Sequence, residues 1–210
     1  MEQRSQEWFE ARIGKVTASN FGKVLTKAKS GNGLSVTAQS YLEKIISEVM
    51  TGQSKEFSSQ AMQWGTDNED GAVYEFERRE FVEVQRVGFL QYAGTNELLK
   101  KYVGCSPDGL IGEDGGCEVK CLDSENFVHM MLNQDAIKKT HMAQMQGCMM
   151  VTGRKWWKYI LYDPRVKQYE KQMIIITVQR DEDYIKNLET KLIMFCMELD
   201  LKLNLLQIQR

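Results

Sequence analysis

The chain has 210 residues, 27% of them charged and 42% hydrophobic, ordinary proportions for a globular protein and enough chain to bury a sizeable core. A net charge of −2 and a pI near 5.8 exclude a uniformly basic nucleic-acid binder, so any basic surface is local, with Lys15, Lys23, Lys27 and Lys29 as candidates. No apolar run approaches the ~20 residues that span a bilayer, and Met1-Glu2-Gln3-Arg4-Ser5 lacks a signal-peptide core, so the expectation is a cytoplasmic protein without membrane contact.

In chain order, Ser5 caps a predicted helix that runs to Arg12 and ends at Gly14, and Thr17 caps a second that runs to Leu25. Trp8 and Phe9 are expected to pack inward. The guanidinium fork of Arg12 suits bidentate contact with phosphate, and Thr17 and Ser19 lie at a helix start whose N–H groups favour anions. A helix-end ion pair with ordinary caps accounts for the same residues. Residues 27–36 are polar and contain glycine, and they read as a mobile loop.

A helix over 37–50 places Tyr41, Leu42, Ile45, Ile46 and Val49 on one face and ends near Gly52, a stripe that reads as core alone. A longer helix over 58–80 carries Met62, Trp64, Ala72, Val73 and Phe76. By residue type Met62 reads as core. Glu69, among several acidic neighbours, reads as solvated. Short β-rich runs over 81–84 and 87–92 suggest that the sheet gathers there.

The most informative stretch is 104–121, GCSPDGLIGEDGGCEVKC. In an extended strand Glu118 and Lys120 point one way while Cys117, Val119 and Cys121 point the other. If 105–111 is an extended arm and 117–122 its returning partner, the glycine-rich turn 112–116 brings Asp108 beside Glu118. Two carboxylates and an amine then converge. Mg²⁺ takes one or two carboxylates from a protein and often completes its shell with phosphate oxygens, and an adjacent ammonium stabilises charge on a phosphate under attack. Taken alone, Glu-x-Lys on an exposed strand face is usually a solvated ion pair.

Helices are expected over 125–132 and 135–151. On the second, Ile137, Met142, Met145, Met149 and Met150 form an apolar surface and Gln144 projects elsewhere. His129 and His141 read as structural, although His141 lies three residues before Gln144. Residues 156–162 and 172–178 read as strands, with Asp163-Pro164-Arg165 a turn between them and the aromatic residues packed in the core. Asp181 starts a last helix to about 207, with Leu188, Leu192, Phe195, Leu199 and Leu203 on one face. Five cysteines at irregular spacing fit reduced thiols, and no Cys-x-x-Cys pair marks a zinc or iron–sulfur site. Without repeats or linkers, one domain over 1–210 is expected.

Ser106-Pro107-Asp108-Gly109 followed by Glu118-Val119-Lys120 resembles the split PD-(D/E)xK signature of metal-dependent nucleases. The chain as a whole is similar to the lambda-type (YqaJ-like) viral alkaline exonucleases of phage recombination. The similarity includes Trp8-Phe9-Glu10-Ala11-Arg12-Ile13-Gly14 with Thr17-Ala18-Ser19, then Trp64-Gly65 with Glu69, then Met142-Ala143-Gln144-Met145-Gln146, and Tyr162-Asp163-Pro164-Arg165. It implies an α/β, restriction-endonuclease-like core in which a central mixed β-sheet is flanked by α-helices. It also implies a Mg²⁺-dependent (or Mn²⁺-dependent) exonuclease, using two ions, that degrades one strand of linear double-stranded DNA from the 5′ end to 5′-mononucleotides.

In that resemblance Asp108, Glu118, Glu69 and the Val119 carbonyl bind metal, and Lys120 and Gln144 orient and activate water. Arg12, Thr17, Ser19 and Ser106 hold the 5′-phosphate, and Met62 wedges into the terminal base pairs. The implied partners are double-stranded DNA ends, two further copies in a ring-shaped homotrimer and a single-strand annealing recombinase, in a phage or prophage setting inside a bacterial host. Two other readings fit the same residues: an endonuclease or junction resolvase, distinguished by cutting closed circular DNA, and a non-catalytic DNA-end binding module, distinguished by an EDTA-controlled nuclease assay.

Overall fold

The computed structural model describes residues 1–29, 33–54, 59–133 and 141–208. The elements in order are α1 (Gln6–Arg12), β1 (Val16–Thr17), a 3-10 turn over Ala18–Asn20, α2 (Phe21–Val24), α3 (Val36–Thr51), α4 (Gln60–Glu80), β2 (Val84–Gln85), β3 (Leu90–Gln91), α5 (Glu97–Tyr102), β4 (Val103–Cys105), β5 (Gly109–Ile111), β6 (Gly115–Cys121), α6 (Ser124–Leu132), α7 (Met142–Thr152), β7 (Trp156–Tyr162), β8 (Met173–Gln179) and α8 (Glu182–Leu205). The expected α/β architecture with a mixed central sheet flanked by helices is present.

The main sheet runs β2-β5-β6-β7-β8. Only β6 and β7 are parallel, in a register that pairs Glu118 with Tyr159, and the other neighbours are antiparallel. Strands covered on both faces read as nearly continuous apolar runs, as β7 does. Cys117, Val119, Cys121 and Ile160 pack on one face against Ala72, Val73 and Phe76 of α4. Trp157, Tyr159 and Leu161 enter the larger core on the other face, with Met145 and Met149 of α7, Leu42 and Ile45 of α3, and Leu192 and Phe195 of α8. The adjoining strands β6 and β7 therefore carry packed core on opposite faces of the sheet.

Three features position the site. Gly112 turns the β5–β6 hairpin at φ +53°, a left-handed conformation that glycine adopts without steric cost. Gly147 lets α7 close on the 3-10 turn and α2, because a Cβ there would lie 2.3 Å from the Phe21 ring. The small sheet β1-β4-β3 sets Thr17 beside Gly104 in a parallel pair, so the chain's first and middle thirds meet next to Ser106.

Several expectations need correction. The arm 105–111 is not one strand: Cys105 ends β4 in the small sheet and β5 begins at Gly109. Pro107 has no N–H to continue a ladder, and its carbonyl instead accepts from Gln3 Nε2 at 2.7 Å. Thr17 does stand at the N-cap position, extended with φ −102°, but its side chain makes no cap bond and the turn it opens is 3-10; its own N–H is donated to the Tyr41 hydroxyl at 3.1 Å, and the α-helical part, α2, starts at Phe21. Tyr41 is therefore more than core. The β-rich runs contribute β2 and β3 to different sheets, Phe9 is only half-buried, and α5, capped by Asn96, was not anticipated. The expected helix over 135–151 is described only from Met142; Ile137 lies outside the described residues, as do residue 58 of the expected α4 and residues 30–32 of the expected loop.

Candidate active site

Gly109 pairs with Cys117, so Asp108, one step beyond the ladder, comes opposite Glu118. The Asp108 carboxylate turns back into the sheet, and its Oδ2 accepts the Val119 N–H at 2.7 Å. Val119 sends its side chain into the smaller core and offers the site only backbone. Glu118 is 1% exposed. One of its oxygens accepts from Lys120 Nζ at 2.5 Å, and the other, Oε2, is buried with no protein partner. The alternation of β6 puts the glutamate and lysine on one face, and the hairpin register, not an unbroken arm over 105–111, brings the aspartate beside them.

The electrostatics of this trio are unbalanced. Burial, then the Glu118 carboxylate, pushes the Asp108 carboxyl well above its ordinary range, against Lys120 and the Val119 N–H. Burial alone would lower the Lys120 ammonium, but the Glu118 and Asp108 carboxylates outweigh it and raise its pKa. A buried carboxylate oxygen without a partner is costly. Two carboxylates with one such open oxygen form a hard donor set that fits a divalent cation of the Mg²⁺ kind.

Glu69 is not solvated. It is 8% exposed, and its oxygens accept from Arg4 Nη2 at 2.6 Å and Arg86 Nη2 at 2.7 Å. Its charge still acts on Asp108, but both oxygens are engaged by arginines. Among the described residues no group of three or more histidine, cysteine, aspartate or glutamate side chains is gathered to hold a metal. Arg4 and Arg86 were missed by sequence reasoning, since neither belongs to a motif.

The phosphate-binding candidates fall into two adjoining pairs. Ser106 Oγ accepts from Arg12 Nη1 at 2.8 Å and from Trp8 Nε1 at 3.0 Å, with the Arg12 guanidinium stacked 4.0 Å over the Trp8 ring. Ser106 keeps its own hydroxyl proton for a further acceptor. Thr17 Oγ1 lies 3.3 Å from Ser19 Oγ, and Asn20 Nδ2 donates to Thr17 Oγ1 at 3.0 Å. Tyr41 links the pairs: its hydroxyl binds the Thr17 N–H, and its pKa, pushed up to about 12 by burial, also feels the Arg12 charge. Trp8 and Tyr41 are supporting residues whose roles were not legible from the sequence.

Ser19 shares a groove of about 360 Å³ with Ala18, His141 and Gln144. His141 on that groove wall lies close enough to the trio to feel the Lys120 charge, and its Nδ1 is 2.8 Å from the hydroxyl of Tyr159, the β7 partner of Glu118. Met62 is not core. It is 58% exposed in the first turn of α4, where its N–H donates to the Ser59 cap.

Residues 7–155 match the YqaJ-like viral recombinase domain. The chain belongs to that family. Among solved structures, an alkaline exonuclease (LHK-Exo) from Laribacter hongkongensis is 31% identical with a TM-score of 0.84, over 97% of this chain and 96% of that one. The same enzyme in complex with dAMP matches at 32% identity and the same TM-score and coverage. A phage-related exonuclease from Haemophilus somnus, 16% identical with a TM-score of 0.73 over 91% of this chain and 96% of that one, shares the fold. No curated protein sequence matches the chain. Membership agrees with the PD-(D/E)xK arrangement of Asp108, Glu118 and Lys120, and every family block read from the sequence other than Tyr162-Asp163-Pro164-Arg165 lies within the matched residues.

Proposed function

We propose that the chain is a Mg²⁺-dependent deoxyribonuclease, an exonuclease that digests one strand of linear double-stranded DNA from its 5′ end and releases 5′-mononucleotides. The observation that carries this reading is the orphaned Oε2 of Glu118 beside Asp108 and Lys120, within a chain that belongs to a viral recombinase family and is similar to an alkaline exonuclease over nearly its whole length. Asp108, Glu118 and the Val119 carbonyl would hold the cation, with Glu69 contributing once Arg4 or Arg86 yields one of its oxygens. A divalent cation there, Mg²⁺ or Mn²⁺, supplies Lewis acidity toward water and phosphate oxygens, and the family reading calls for two such ions.

The chain's own residues do the remaining work. Lys120, kept cationic by Glu118 and Asp108, stabilises negative charge growing on the phosphate and helps direct the attacking water. Gln144, on the groove wall, offers that water both a donor and an acceptor without adding charge. Arg12 and Ser106 hold the 5′-terminal phosphate, with Ser19 and Thr17 on its far side. Met62, exposed at the start of α4, meets the duplex end as a wedge. A release product with a 5′-phosphate is consistent with the dAMP that the Laribacter enzyme binds.

The assembly follows from the same family reading: one domain spanning the chain, three copies in a ring around DNA, and a single-strand annealing recombinase that takes up the exposed 3′ strand in the cytoplasm of a bacterial host. Among the described residues no helix is long and apolar enough to cross a membrane. The test is digestion in Mg²⁺ of linear duplexes labelled at either end, with and without a 5′-phosphate, beside closed circular DNA. Loss of 5′-proximal label first, preference for the phosphorylated end and intact circles are expected. Cutting of circles would make the protein an endonuclease, and no digestion in Mg²⁺ or Mn²⁺ would leave only DNA-end binding.

A further inference from the structure

His141 read as structural in the sequence, and its surroundings say otherwise. It stands immediately before α7 with φ +57°, a conformation uncommon for a residue other than glycine and one that clusters at functional sites. Its carbonyl accepts the N–H groups of Gln144 and Met145, both at 3.0 Å, so the backbone that starts α7 also fixes the root of the imidazole. The ring lies at the lip of the groove that Ser19 and Gln144 line, packed at its inner edge against the Tyr159 ring.

The hydrogen bond to Tyr159 decides what the outer edge offers. Tyr159 is 1% exposed, and burial raises the pKa of its hydroxyl, which therefore carries a proton that needs an acceptor. His141 Nδ1, 2.8 Å away, is that acceptor. A neutral imidazole that accepts at Nδ1 carries its proton on Nε2. His141 as a residue is exposed, but desolvation of its inner edge and then the Lys120 ammonium shift its pKa down, to about 4, so the shift favours the same neutral ring that the Tyr159 hydrogen bond requires. Tyr159 in turn is the β7 partner of Glu118, so the donor is braced against the same strand pair that carries the trio.

We propose that His141, oriented by Tyr159, donates its Nε2–H to a non-bridging oxygen of the phosphodiester being cut, which makes it a further catalytic residue and Tyr159 its positioning residue. The assignment rests on the nuclease reading above. An uncharged donor suits this place because Lys120 already supplies the cation. It also explains why a histidine rather than a lysine or arginine faces a groove that must admit and release a nucleotide.

The experiment compares His141→Ala, His141→Gln, His141→Asn and Tyr159→Phe with the wild type in steady-state digestion of 5′-phosphorylated and 5′-hydroxyl linear duplexes, with melting temperature as a check on folding. A glutamine amide places its nitrogen near the position of Nε2, and an asparagine amide reaches only the position of Nδ1. His141→Ala and His141→Asn are expected to lower kcat by about tenfold to a hundredfold, the range of a hydrogen bond to a charged group, with KM little changed. His141→Gln recovers most of the rate. Tyr159→Phe falls between, because the ring is present but loose.

The preference for a phosphorylated end stays at the wild-type ratio in every variant. Equal losses in the alanine and glutamine variants, both folded, would show a packing role and overturn the proposal, as would wild-type rates in all four. A fall confined to the phosphorylated-end preference would place the contact on the terminal phosphate and also overturn it. An inactive wild type would strike down the nuclease reading itself, and this proposal with it.

Discussion

Lys120→Met removes the ammonium that faces the Asp108 and Glu118 carboxylates, and its consequences separate a buried charged trio from a surface ion pair. The partner, Glu118, is 1% exposed and would be left with both oxygens unpaired, since Oε2 already has no partner. Breaking a buried pair by deleting one member costs about 3–5 kcal/mol. The Lys120 side chain is 30% exposed, so solvent screening puts the loss near the lower end, about 3 kcal/mol. For a chain of this size that lowers Tm by about 6–12 °C.

The loss depends on pH. In the wild type Asp108 already stands well above its ordinary value, because of burial and the Glu118 carboxylate, and Lys120 opposes that rise. Without the ammonium its folded-state pKa climbs further. A carboxyl whose folded pKa exceeds its unfolded one contributes stability at low pH that disappears as pH rises through the folded pKa. The deficit of the variant is therefore small in mildly acidic buffer and grows toward alkaline pH. Saturating Mg²⁺ should raise the Tm of the variant more than that of the wild type, since the cation neutralises the same carboxylates. Cleavage is lost while binding to DNA ends persists. Thermal melts across pH, with and without Mg²⁺, provide the assay. A variant as stable as the wild type at every pH, with the same response to Mg²⁺, would refute the reasoning.

Other perturbations probe the remaining parts. Arg12→Lys keeps the charge but loses the planar fork that rests on Trp8 and reaches Ser106, so the preference for 5′-phosphorylated over 5′-hydroxyl ends should drop by about tenfold in competition digests. Met62→Ala should impair digestion of paired ends more than of single strands; equal effects on both would remove the wedge. Gly147→Val forces a side chain into the Phe21 ring and should cost about 1–3 kcal/mol in denaturant melts, with a fall in activity because α7 carries Gln144.

The central hairpin was legible because strand alternation and a glycine turn are local signals, and Asp108, Glu118 and Lys120 follow from them. The strand over 156–162 was likewise written in its own apolar residues. What escaped depended on distant chain. Thr17 holds the cap position the sequence suggests, but its pairing with β4 was not visible there, and Tyr41 looks like plain core until its hydroxyl meets the Thr17 N–H. Glu69 looked solvated because the arginines that cover it come from residue 4 and residue 86. Helix α5 is six residues long, too short for periodicity, although Asn96 before Glu97 was a usable capping signal. The family resemblance supplied Ser106 and Gln144 and decided between phosphate binding and a capped ion pair for Arg12, Thr17 and Ser19, and the fold then showed that Arg12 touches Ser106 and Thr17 touches Ser19.

The most direct measurement is anomalous scattering from crystals soaked in Mn²⁺, which stands in for Mg²⁺ at hard oxygen sites. The account predicts a peak about 2.0–2.2 Å from carboxylate oxygens of both Asp108 and Glu118, absent after Asp108→Asn. Strong ion density elsewhere, with these two carboxylates bare in an active enzyme, would contradict it.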